Sequence, residues 1–253
     1  MNLSRALECS FRIGLFSLMG LSLHAQQFLP NPASAGLWVG DVTLSEVTYA
    51  AGGSPTQPVA DSAQFRLLLH VGANGSVKLL KEVTLLRKTV SLPTAPTGPG
   101  ALPVPTSTPS PTATVMLLTD LSLLPGLTNV VRVDGKVRGQ RLATAGYDLP
   151  DGVRELPLAG GLGTNFRCAG TNVLAPDALT HPFRHAFHPD HTAAPEITRA
   201  FSLTVNNSLN QINGLDQLSG SYQETISGLH KTPLTVRGTV TLVRLSPVSV
   251  LNQ

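Results

Sequence analysis

Apolar and polar residues alternate along most of this chain with a period of two, the pattern of a strand with one buried face. Between Pro195 and Val205, Ile197, Phe201, Leu203 and Val205 share one face, interrupted only by Arg199, while Thr198, Ala200, Ser202 and Thr204 share the other. Between Leu234 and Arg244 the same rhythm turns Leu234, Val236, Val240 and Leu242 inward and Thr235, Arg237, Thr239 and Thr241 outward. Further strands are expected over 36–49, 64–71, 76–88, 114–119, 129–133, 140–147 and 219–227. Gly72-Ala73-Asn74-Gly75 predicts a hairpin connection in which Asn74 and Gly75 supply the two positive-φ residues of a type I′ turn. No long amphipathic helix competes with these strands. The expectation is an all-β fold of about nine strands, an antiparallel barrel or a sandwich.

Residues 91–114 break the rhythm. They contain seven prolines and no charge. Proline cannot donate to a sheet ladder, so the segment reads as an extended loop inside one β domain spanning 26–253.

The first 25 residues read as an export leader. Arg5 and Arg12 precede an eleven-residue apolar run, Ile13 to Leu23, and Ala25 offers a small residue for cleavage. That run is about half the roughly 20 residues a membrane span needs. The expected product is therefore secreted or periplasmic, with no membrane span. The full chain's 18 basic and 15 acidic residues fall to 16 and 14 once Arg5, Arg12 and Glu8 leave with the leader, a balance that argues against a nucleic-acid binder. Without the leader Cys168 is the single cysteine, so no intramolecular disulfide forms. A buried thiol is the expected state of Cys168.

Gly36-Leu37-Trp38 opens the first strand with the only tryptophan of the chain, and Arg244 falls on the inward parity of the last strand. A guanidinium on an inward face needs a partner, and an aromatic ring is a suitable one. This arrangement resembles the calycins, the lipocalin-type β-barrels. The resemblance implies a barrel whose closed end is capped by Trp38 and Arg244, with an apolar small molecule carried inside.

Four of the seven histidines lie between His181 and His191. With Pro182 at the first position of a short helix, His181, His185 and His188 share a face, and Asp190 and His191 fold back beside them. Such a set suits a divalent transition metal. In an extended segment Phe183, His185 and Phe187 share a face instead and the ligands separate. The segment then serves as a surface loop pinned by its phenylalanines, or, with Arg184, as a pH-responsive or anion-binding patch.

Motifs for nucleophilic or phosphate chemistry are missing: there is no G-x-S-x-G elbow, P-loop or H-E-x-x-H. Gly160-Gly161-Leu162-Gly163 reads as a turn. Asp120, Asp134 and Asp151 sit where turns use an Asx side chain. The leading expectation is an exported, non-catalytic β domain that binds a protein or surface polymer and requires no cofactor. A calycin-like carrier of a small apolar ligand and a metal-binding protein or metal-dependent enzyme are the alternatives.

Overall fold

The computed structural model of the chain describes residues 27–49, 57–58, 63–88, 115–178, 181, 195–206, 213–229 and 232–253. The export leader expected over 1–25 and the proline-rich loop expected over 91–114 both lie outside the described residues. No helix among the described residues is long and apolar enough to cross a membrane.

Eight strands close an antiparallel barrel: β1 (Gly36–Tyr49), β3 (Gln64–Val71), β4 (Val77–Leu80), β10 (Glu155–Gly160), β11 (Arg167–Leu174), β12 (Ile197–Val205), β13 (Gln217–Ser227) and β14 (Leu234–Ser246). Each pairs with the next in this order, and β14 returns to pair with β1. A short β2 (Gln57–Pro58) extends the sheet beside the end of β1. Closure removes the free edges that an open sheet of these strands would leave. The predicted inward faces of β12 and β14 are the ones buried: Ile197, Phe201, Leu203 and Val205, then Val236, Val240 and Leu242.

Between β4 and β10 the chain leaves the barrel and builds a second layer. It forms β5 (Glu82–Arg87), β6 (Val115–Leu118) and β9 (Gly139–Ala143) in the order β6-β5-β9, and a small ribbon of β7 (Arg132–Val133) and β8 (Lys136–Val137). One face of this small sheet packs Val83 and Leu117 against Leu37, Leu68 and Leu80 on the outside of the barrel. Its other face gathers Leu86, Met116, Leu118 and Val130 into a separate core.

Two expectations are corrected here. The single strand expected over 76–88 bends at Lys81, and Leu80 and Val83, on opposite strand parities, reach the same core. The turn after β3 is not type I′. Of its residues only Gly75 has positive φ (80°), and the Gly75 amide donates to Gly72 O at 2.9 Å. This is a type I turn closed by a left-handed glycine, and the ladder resumes with Gly72 N donating to Ser76 O at 2.8 Å. Strands β10 and β11 fall where the sequence pattern predicts none.

Candidate functional site

Trp38 and Arg244 are register partners across β1 and β14, at the end of the barrel crossed by the N-terminal segment. The indole Nε1 of Trp38, which is fully buried, donates to Ser34 O at 2.8 Å. Arg244 donates to Ala35 O from Nη2, and its Nε is buried without a hydrogen-bond partner. Both side chains thus hold the 3-10 turn Pro32–Ser34 over the barrel end. Asn31 adds a bond from Nδ2 to Leu162 O at 2.7 Å. The guanidinium of Arg244 is thus held by a backbone carbonyl. The cation–ring contacts among the described residues belong to other pairs, Arg199 over Tyr147 and Arg167 over Phe28.

The opposite end, the mouth, carries a polar cluster. Arg199, the residue that interrupts the apolar face of β12, donates from Nε and Nη2 to the two carboxylate oxygens of Glu224 at 2.6 and 3.0 Å. Tyr222 Oη donates to the same carboxylate at 2.8 Å. The guanidinium lies 4.0 Å from the centre of the Tyr147 ring. Burial works against the Arg199 charge, yet the bonds to Glu224 outweigh it and its pKa is raised. Burial and the nearby carboxylate push both tyrosine hydroxyls well above the ordinary phenol range. In the sequence each charge is visible only singly, as a charged residue on the inward parity of its own strand.

Tyr147 and Leu149 reach the barrel core from the segment that follows β9. Ala145 pairs with Arg66 of β3, and Asp148 O accepts from Asn172 Nδ2 of β11 at 2.6 Å. The segment thereby spans the gap left beside the short β4 and β10. The rings of Phe65, Tyr147, Phe201 and Tyr222 meet at centroid distances of 5.3–6.2 Å and fill the interior.

His181 is buried, and its Nε2 bonds Pro195 O at 2.8 Å. His185, His188, Asp190 and His191 lie outside the described residues. Among the described residues no group of three or more potential ligands stands ready for a metal. His70, on the outer face of β3, bonds Val248 O at 3.1 Å, and burial lowers its pKa.

A cleft of about 670 Å³ opens beside the small sheet. Its walls carry alternating charges: Arg154 pairs with Asp120 at 2.5 Å, and Arg141 pairs with Glu82. Glu155 accepts from Lys78 Nζ and Thr119 Oγ1, each at 2.7 Å. Burial opposes the Glu155 charge, but these bonds hold its pKa below the usual value. Asn252 pins one rim, its Oδ1 accepting from the backbone of Thr119 and Asp120 at 2.9 and 3.2 Å. Lys81, at the bend between β4 and β5, lines the cleft and forms no ion pair among the described residues.

Comparison with family models, curated proteins and solved structures returned no match.

Proposed function

We propose that this chain is an exported, non-catalytic binding domain that recognises a protein or surface polymer on the outside of its barrel, in the charged cleft beside the small sheet. The observation that carries this reading is the filled interior. Four aromatic rings in mutual contact occupy the space that a carrier would keep for its ligand. The excursion between β4 and β10, by contrast, builds a concave surface that barrel closure does not need.

The cleft is equipped for recognition. Its carboxylates are engaged as acceptors, Glu82 by Arg141, Asp120 by Arg154 and Glu155 by Lys78 and Thr119. Groups fixed in this way present a pattern of charge to a polar partner, and Lys81 adds a cation that a partner carboxylate can take. The carrier alternative draws on Trp38 and Arg244 at the capped end, and it requires Tyr147 and Leu149 to leave the core. The metal alternative rests on residues 181–191, with His181 already engaged by Pro195.

The test is an array of acidic and zwitterionic peptides and glycans, probed with the leaderless chain and with Lys81→Glu. The expected result is a set of ligands lost in the variant while its unfolding midpoint is unchanged. Absence of any ligand, or ligands indifferent to Lys81, overturns the reading.

A further inference from the structure

A second recess, of about 540 Å³, opens where β5 ends and β6 and β9 begin. Leu85, Leu86, Val115 and Val131 give it an apolar lining, and Arg87 and Arg138 are its charged residues. Gly139, at its edge, lets the Leu86 side chain lie directly against the β9 backbone. A Cβ there would stand 2.7 Å from Leu85 O and 2.5 Å from a Leu86 methyl, closer than van der Waals contact permits.

The charge around the recess is one-sided. Residues 85–88, 115–118 and 130–140 contain Arg87, Lys88, Arg132, Lys136 and Arg138 against a single acid, Asp134. None of these five cations forms an ion pair among the described residues. The cleft at Lys81 has the opposite character, since there cations and carboxylates neutralise each other.

An apolar hollow whose two guanidiniums form no ion pair among the described residues, and whose lining carries no carboxylate, complements an amphipathic anion. The guanidinium fork grips a carboxylate through two parallel hydrogen bonds. Alkyl chain laid over leucine and valine leaves water at roughly 25 cal/mol per Å² of apolar surface. The recess has the dimensions of a pocket for one small molecule, and its concavity suits a single chain better than a bilayer surface. We infer that this recess binds one fatty acid, its alkyl chain over Leu85, Val115 and Val131 and its carboxylate at Arg87 and Arg138. The inference rests on the reading that recognition occurs outside the barrel, and it names a second external site.

The experiment is calorimetric titration of the leaderless chain with dodecanoate below its micelle concentration, with dodecyltrimethylammonium as the cationic counterpart. Saturable binding of one dodecanoate per chain is expected, weakened at least about tenfold in the Arg87→Gln, Arg138→Gln double variant. Val131→Asp, which introduces a like charge beneath the alkyl chain, is expected to weaken it similarly. Both variants should keep the parent unfolding midpoint. No dodecanoate binding, equal binding of the cation, or binding to phosphatidylglycerol vesicles alone overturns the inference. If dodecanoate binding survives the arginine substitutions and is lost in Phe201→Ala, the ligand sits inside the barrel and the external reading falls too. If dodecanoate fails while Lys81-dependent array ligands remain, only the fatty-acid site falls.

Discussion

Arg199 and Glu224 meet on the diagonal of the β12–β13 ladder inside the barrel, where Phe201 is the residue directly opposite Glu224. Diagonal neighbours on one sheet face lie about 7–8 Å apart at the backbone, a span a long arginine side chain covers. Glu224 is 1% exposed, so its charge depends on this partner and on Tyr222.

Removing one member of the pair leaves the other buried and unbalanced. Glu224→Gln is expected to cost about 3–5 kcal/mol of folding stability. Arg199→Met with Glu224→Leu should recover most of that loss, because two apolar side chains need no charge partner. Urea unfolding of the single and double variants checks both statements; equal losses in both would contradict the argument.

Tyr147 contributes its ring but not its hydroxyl. The Tyr147 Oη lies near Asn172 yet forms no hydrogen bond of normal geometry, while the ring stacks under Arg199. Tyr147→Phe should change stability by less than about 1 kcal/mol, whereas Tyr147→Ala should cost about 3–5 kcal/mol. Thermal unfolding of the two variants separates ring from hydroxyl.

At the capped end, Trp38→Phe keeps an aromatic ring and loses the bond to Ser34 O. A stability loss of about 1–3 kcal/mol is expected. Hydrogen exchange should rise selectively at residues 31–35, the segment that Trp38 and Arg244 hold together.

His70 gives the stability a defined pH dependence. Burial lowers its folded pKa below the ordinary 6.5, with the Val248 carbonyl and Glu155 raising it and Lys78 adding to the lowering. The unfolded chain therefore takes up a proton at a pH where the folded chain does not. Stability is complete above about pH 6.5 and falls as the pH drops toward the folded pKa, by at most about 1.4 kcal/mol per pH unit. His70→Gln should flatten the slope of unfolding free energy between pH 7 and 5, whatever its effect on absolute stability.

Cys168 is fully buried, and burial pushes its thiol up to about 12. The folded chain of residues 26–253 should not react with a disulfide reagent at pH 8, while the same chain unfolded in guanidinium should release one equivalent. Rapid reaction of the folded chain would contradict the assigned packing.

The strands that could be read were those whose inward face is uniformly apolar. β11 escaped because its inward positions are Cys168, Gly170, Asn172 and Leu174, which make no apolar row. Gly170 stands there because a Cβ would lie 2.4 Å from a Leu158 methyl, and Asn172 because its amide meets Asp148 O. Neither reason is local. Lys81 likewise carries no sequence mark of the bend that ends the barrel strand and opens the cleft.

Period-two alternation by itself determined that this chain makes half-buried antiparallel strands, since only that backbone puts every second residue on one face. It also placed Trp38 and Arg244 on inward parity. Closure into eight strands, the departure of β5 to β9 into a second layer, and the pairing of Arg199 with Glu224 were decided by the tertiary structure. Each depends on residues far apart in the chain that meet only when the sheet curls, and alternation along one strand does not encode which strand lies beside it.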